Sequence, residues 1–279
     1  MTTNVKTPQS IADIYDSKPV DAFLKHLYKT GGMHIGTYKK GKKNPADGAN
    51  NTTLRLIRFL PNIKKKTRML ILGSDYGAAA RYIVEKYNCK VDCLNISELQ
   101  NKFNRKQAEA DELDDYLTVN KGVFAKTPFE RETYDIIWSQ DALYYSKEKL
   151  KIFREVVRLL QPEGRFIFTD IMLNSEESIP ELKKLLPAIH FKNMATEDQY
   201  KKLSSRVDLE RAYLRTIPEQ LVTHFENVLS KVESDQKELI EKSNKKTVET
   251  QTEELKGWLT AAESGYLSWG IMMFQKRNV

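Results

Sequence analysis

A short apolar run, Met69 to Leu72, opens directly into Gly73-Ser74-Asp75-Tyr76-Gly77. Glycines at such a turn let the backbone approach a ligand closely, and they aim the amides of the following helix at it. The next apolar run ends in Asn95, where a nucleoside-binding sheet places a side chain that hydrogen-bonds ribose hydroxyls. A second reading of Asn95 stays open, as a cap on the helix that follows. Farther along stands Ser139-Gln140-Asp141, again at the end of an apolar run. His34, Tyr15, Tyr38 and Tyr145 carry acid–base or ring-face chemistry. Ordinary packing of an N-terminal lid is the competing account of Tyr15 and Tyr38.

These residues need strand ends to hold them. Helical apolar spacing covers 53–60, a strand follows at 69–72, and 78–87 is a good helix before a strand at 90–94, which makes a βαβ unit. The rhythm continues with a polar helix over 97–113, strands near 117–120 and 134–138, a helix over 147–160 and a strand at 165–170. Pro162 and Gly164 act as a stop between the last two. Such alternation predicts an α/β fold with a doubly wound, mostly parallel sheet, helices on both faces, and ligands bound at the carboxyl ends of the strands. Beyond Asp170 come helical segments at 179–186, 196–203 and 218–232, a Lys- and Glu-rich stretch at 234–256 read as an exposed helix or a loop with helical ends, and a closing strand at 266–274. This is a helical insertion before a last strand, which is expected to join the sheet antiparallel. The expected division is an N-terminal helical lid (1–52), the core (53–172), and the insertion with its closing strand (173–279) of the same domain.

The chain has 279 residues, 40% hydrophobic and 30% charged, with 12 Gly and 9 Pro, which excludes fibrous and disordered classes. No apolar run suffices for a membrane span, and the opening ten residues lack a signal-type apolar block, so an intracellular, cytoplasmic protein without membrane partners is expected. Cys89 and Cys93 lie in a strand, roughly 13 Å apart at about 3.3 Å per residue, too far for a disulfide. Without histidines nearby they make no metal site. The net charge of +7 comes with lysine runs at 39–43 and 64–66, which read as solvated surface; nucleic acid is not expected as a partner.

Several stretches together resemble the S-adenosylmethionine-dependent N-methyltransferases that act on glycine, sarcosine and dimethylglycine. They are Gly31-Gly32-Met33-His34-Ile35-Gly36, Tyr76 to Tyr82, Leu94-Asn95-Ile96-Ser97-Glu98, Trp138-Ser139-Gln140-Asp141, Phe168-Thr169-Asp170, Ser264-Gly265-Tyr266 and Trp269-Gly270-Ile271. The resemblance spans nearly the whole chain and implies a Rossmann-like methyltransferase sheet. It implies S-adenosylmethionine as cofactor and a small amine as substrate. It places Gly73, Asp75, Gly77, Asn95, Lys121, Ser139, Gln140 and Asp141 at the cofactor, and His34 and Tyr145 near the substrate, where either could assist proton removal and Tyr15, Tyr38 and Tyr145 could cradle a methylammonium by cation–π contact.

The chain departs from the family's pattern at four of these places. Ile71 stands where the first strand normally ends in an acid, Asp75 replaces the loop's middle glycine, Lys121 replaces an acid near the adenine, and Tyr145 replaces a histidine. Isoleucine cannot pair with the cofactor's ammonium, and lysine cannot accept a hydrogen bond from the adenine amino group. At about 1.5–3 kcal/mol for each lost contact, three losses would weaken binding by orders of magnitude. The leading expectation is therefore a pseudoenzyme, a methyltransferase fold with impaired cofactor binding that serves as a structural subunit of a larger assembly. The alternative is an active N-methyltransferase of a small amine such as glycine, sarcosine or dimethylglycine.

Overall fold

The computed structural model describes residues 10–29, 31–39, 41 and 43–278; Lys40, Lys42 and most of the opening segment lie outside them. Its elements in chain order are α1 (Ile11–Tyr15), α2 (Lys18–Tyr28), α3 (Pro45–Ile57), β1 (Arg68–Leu72), α4 (Ala78–Tyr87), β2 (Lys90–Asn95), α5 (Glu98–Ala110) and β3 (Leu117–Lys121). Then follow β4 (Tyr134–Gln140), α6 (Lys149–Leu159), β5 (Leu160–Leu173), α7 (Ile179–Leu185), α8 (Ala188–Phe191), α9 (Glu197–Ser205) and β6 (Leu209–Thr216). The chain ends with α10 (Glu219–Ser234), α11 (Gln236–Lys242), α12 (Lys245–Glu263) and β7 (Leu267–Lys276).

The strands form one seven-stranded sheet in the order β3-β2-β1-β4-β5-β7-β6. The first five pair in parallel, and β7 runs antiparallel to both β5 and β6, as expected for the late strand. Two features differ from expectation. The strand β6 is new, and its charged sequence LERAYLRT hides it, since as an edge it buries little. The strand β5 begins at Leu160 rather than Arg165, because residues 161–164 bulge out of register between the Tyr134–Leu160 and Ile136–Arg165 pairs.

Strands covered on both faces are apolar at every position, and the period of two then sorts the side chains. On β1, Met69 and Ile71 join one core cluster with Ile83 and Val84 of α4, while Leu70 and Leu72 join the other with Phe153 and Val156 of α6. A third cluster joins Phe23, Leu27 and Tyr28 of α2 to Val228 and Val232 of α10 and Val248 of α12. The expected lid and the expected insertion thus share one apolar interface. The boundary expected between residues 52 and 53 falls inside α3. Cys89 and Cys93 are buried free thiols, and no described helix is long and apolar enough to cross a membrane.

Gly73 ends β1 with φ +76°, and a Cβ there would sit 2.5 Å from the Ala142 Cβ. Gly265 has a similar φ of +71° with nothing within 4 Å of a Cβ. Gly265→Ala therefore meets backbone strain alone, about 1 kcal/mol, whereas Gly73→Ala adds a steric clash and should lose about 2 kcal/mol or more. Urea unfolding of the two variants measures the difference.

Candidate active site

The carboxyl ends of β1, β2 and β4 open onto a cavity of about 250 Å³. Its walls carry Gly73 and Asp75 after β1, Asn95 and Gln100 at the β2–α5 junction, and Gln140, Asp141 and Ala142 after β4. The N-terminal segment closes it with Ile11, Tyr15, Met33 and His34. Against this outer cavity lies an inner chamber of about 150 Å³, and the two share Tyr15, Met33, Asp141 and Tyr145. A third hollow, of about 330 Å³, lies at residues 60–63, where the chain approaches the opposite end of β1.

Two carboxylates organise the junction. Asp75 (φ +43°) and Asp141 (φ +49°) both adopt left-handed backbone; Asp75 is buried and Asp141 half-buried. Asp75 Oδ2 accepts the Met33 amide at 3.0 Å, and Asp141 Oδ2 accepts the Ile35 amide at 2.7 Å. The chain bends at His34, between the two amides, and one short strap satisfies both acids. Trp269 Nε1 donates to Asp141 Oδ1 at 2.8 Å. Burial pushes the Asp75 carboxyl up to about 7 and that of Asp141 up to about 6. His34, between the two strap amides, has Nδ1 3.6 Å from Asp75 Oδ2, and burial lowers its imidazole to about 3, so it is neutral.

Amide side chains of the outer cavity have well-defined orientations. Gln140 Oε1 accepts from Trp138 Nε1 at 2.9 Å and Thr53 Oγ1 at 3.3 Å, which leaves Nε2 as a donor with no partner among the described residues. Asn95 Nδ2 donates to Gln100 Oε1 at 2.8 Å, which likewise leaves Gln100 Nε2 without a partner. The cap of α5 is Ser97, whose Oγ accepts the Gln100 amide at 3.1 Å. Buried donors left unpaired each cost about 1–3 kcal/mol, a cost that a ligand bearing acceptors would remove. Beside them Ile96, Phe124, Ala142 and the exposed Val123 offer an apolar slot.

Of the residues named from sequence, Gly73, Asp75, Asn95, Gln140, Asp141, His34 and Tyr145 come together on the outer cavity. Three do not line it. Gly77 caps α4, Ser139 donates from Oγ to the Leu72 carbonyl at 2.8 Å, and Lys121 is exposed at the end of β3. Ile71 is buried in the core. Tyr38 lines neither cavity; its hydroxyl donates to His224 Nδ1 at 2.8 Å. Tyr15 and Tyr145 meet hydroxyl to hydroxyl at 3.0 Å across the junction. Burial holds the Tyr145 phenol well above its usual range, so it stays protonated.

Sequence reading named Tyr15, Asp141 and Tyr145 of the inner chamber but missed Gln100 and the rest of that chamber, whose walls include Tyr28, Tyr144, His190, Phe225, Glu254 and Trp258. Glu254 and Trp258 sit on α12, which begins in the stretch read as exposed. Their spacing of four residues, with an indole at the end of a polar run, was the available signal. A second acidic cluster, His26, Asp235 and Glu238, lies elsewhere, and its carboxylates already pair with Lys231 and Lys242.

Residues 70–168 match a family model described as a methyltransferase domain. The sarcosine/dimethylglycine N-methyltransferase of Aphanothece halophytica is 32% identical over 266 residues, 95% of each chain. The chain belongs to the sarcosine/dimethylglycine N-methyltransferase family. A glycine/sarcosine/dimethylglycine N-methyltransferase of Actinopolyspora halophila is 32% identical over 93% of this chain, which spans 46% of that longer protein. A crystal structure from Galdieria sulphuraria, assigned as a sarcosine dimethylglycine methyltransferase, superposes with a TM-score of 0.84 at 30% identity, over 95% of this chain and 99% of that one. Fold and family agree with the sequence resemblance.

The Asp75 carboxyl titrates near 3.8 when unfolded and near 7 when folded, so the fold favours its protonated form. Its stabilising contribution is complete below about pH 4 and is lost as pH rises through 7. Asp75→Asn keeps an acceptor for the Met33 amide and removes the buried charge. Thermal melts should show the variant gaining on the parent between pH 4 and pH 8, by on the order of a few kcal/mol. A difference independent of pH would contradict burial as the cause.

Proposed function

We propose that the protein is an active S-adenosylmethionine-dependent N-methyltransferase of a small amine. The observation that carries this reading is the pair of orphaned amide donors, Gln100 Nε2 and Gln140 Nε2, on a cavity that also presents the Asp75 carboxylate. The residues present fit the cofactor's chemistry. Asp75 supplies near the loop the negative charge that Ile71 lacks, and it would hold the ammonium. Asn95 and Gln100 would hold the ribose hydroxyls, Gln140 Nε2 would donate to an acceptor of the ligand, and the apolar slot at Ile96, Phe124 and Ala142 suits a purine. Lys121 stands off the lining, so its replacement of an acid costs little. The pseudoenzyme reading rests on these replaced positions alone, and the geometry offers a substitute or an irrelevance for each.

When bound, S-adenosylmethionine supplies a methyl group on a sulfonium; an amine lone pair forms the new N–C bond as the C–S bond breaks and its electron pair stays on sulfur. The chain's own task is alignment and exclusion of water. Tyr15 and Tyr145, linked by their hydroxyls where the cavities meet, would hold an amine at the junction. Tyr145 is itself held in place. The Tyr144 amide donates to Asp170 Oδ1 at 3.2 Å, and Asn193 Nδ2 donates to the Tyr145 carbonyl at 2.8 Å. Tyr145, as a protonated phenol, would accept an N–H hydrogen bond through its oxygen rather than take the proton. His34 is neutral and faces the outer cavity only, which suits a positioning role beside Asp75.

Calorimetric titration with S-adenosylmethionine and S-adenosylhomocysteine tests this reading. Micromolar binding is expected, with Asn95→Ala and Gln100→Ala each weakening it about 5- to 30-fold and Lys121→Ala changing it less than about twofold. No heat at millimolar ligand would restore the pseudoenzyme reading.

A further inference from the structure

The inner chamber is built unlike a site for an amino acid. Its phenol, phenyl and indole rings are Tyr15, Tyr28, Tyr144, Tyr145, Phe225 and Trp258. Tyr144 and Tyr145 lie 4.0 Å apart between centroids, and Phe225 stacks on Trp258 at 5.6 Å. Its ionisable neighbours are Asp141 after β4, Glu254 on α12, His190 on α8 and His224 on α10. No lysine or arginine lines it among the described residues.

His224 adds no positive charge for a ligand. His224 Nδ1 accepts the Gly36 amide at 3.0 Å, and a backbone amide only donates, so the imidazole is neutral with its proton on Nε2, which donates to the Tyr28 hydroxyl at 3.2 Å. His190 Nε2 lies 3.3 Å from Glu254 Oε2 and donates to it. The remaining His190 nitrogen, Nδ1, is buried on a residue 7% exposed and has no partner among the described residues. A carboxylate set against a wall of rings, with no lysine or arginine beside it, points to a ligand that brings positive charge, and the unpartnered His190 nitrogen leaves room for one hydrogen bond to it.

We propose that the methyl acceptor is an amine without a carboxylate, a simple methylated amine or amino alcohol, held as its ammonium between the ring wall and the Glu254–His190 pair. This rests on the methyltransferase reading above and narrows it. An N-methylated glycine would carry its own carboxylate into a chamber that already holds Asp141 and Glu254 and has no lysine or arginine among its described lining residues to pair it. An amino alcohol of the same length replaces it with a hydroxyl that phenols and the Gln251 amide can satisfy. Before attack the ammonium must shed its proton. Transfer to Glu254 breaks the N–H bond, forms an O–H bond and leaves the lone pair on nitrogen. The Glu254 side chain is 27% exposed, so the proton has a way out to water.

The test titrates 2-(dimethylamino)ethanol and N,N-dimethylglycine into the protein by calorimetry, with and without saturating S-adenosylhomocysteine, and compares kcat/KM for their methylation. The amino alcohol should bind and react at least about tenfold better. Glu254→Gln should weaken it about tenfold while S-adenosylhomocysteine affinity stays within about twofold, and Glu254→Lys should shift the preference toward dimethylglycine. Retained S-adenosylhomocysteine binding shows that either variant has folded. Equal or better binding of dimethylglycine, binding of neither amine, or an amine affinity unmoved by Glu254→Gln overturns the proposal. Loss of S-adenosylhomocysteine heat in the parent protein would instead defeat the methyltransferase reading, whichever amine it prefers.

Discussion

Two carboxylates in left-handed backbone, the buried Asp75 and the half-buried Asp141, take the amides of Met33 and Ile35, and the site's architecture follows from that exchange. Each acid sits just past the end of a neighbouring strand, β1 or β4, where a parallel sheet leaves its crevice. Each would be costly to bury unpaired, and each strap amide would be costly to bury without an acceptor. Pairing them reduces both costs. It also lays the N-terminal strap across the junction of the two cavities and holds Met33 between them. Further acids extend the same logic. Asp16 Oδ1 accepts from Ser97 Oγ at 2.6 Å and from the Leu99 amide at 3.0 Å, tying the turn after α1 to the start of α5, and Tyr76 donates to Asp21 at 2.8 Å. The lid is thus sewn to the sheet by carboxylates on both sides of the seam.

The same exchange explains why an aspartate is tolerated where the family's loop carries glycine. Left-handed backbone costs a residue with a Cβ about 1–2 kcal/mol, and Asp is among the few side chains that visit that region routinely. Charge-assisted bonds from the Met33 and Gly77 amides offset the cost. The loop keeps its glycine-like path although the residue has changed. An acid displaced from 71 to 75 changes its route to the ligand while keeping its charge at the cavity. A motif read position by position registers two losses there, and the geometry registers one substitution.

The legible part of the fold was the part whose local pattern and tertiary setting agree. Strands β1, β2 and β4 are apolar because both faces are covered, and α4 was found to the residue because Gly77 opens it and Asn88 closes it in left-handed backbone. The strand β6 escaped because an edge strand with one solvated side carries little apolar signal, and its charges read as loop. In the site, glycines and strand-end polar residues announced themselves. Lys121 misled because a strand-end position does not fix which way its side chain turns. The inner chamber was illegible for a different reason. It is assembled from residues more than 200 positions apart in the chain, Tyr28 and Glu254 among them, and each alone looks like packing or surface.

That distance in sequence has a physical counterpart in the packing. The cluster of Phe23, Leu27 and Tyr28 with Val228, Val232 and Val248 fixes α2 against α10 and α12. The same contact brings Tyr28 to His224 and sets Glu254 and Trp258 opposite Tyr145 across the chamber's walls. The sheet therefore determines where a methyl donor would lie, and the helices outside the βαβ units determine what lies against it. Substitutions in the helical insertion can alter the acceptor amine while the strand ends stay the same. In a fold whose functions are set by grafted surroundings, the charge balance of the inner chamber is a better guide to the substrate than the glycine loop.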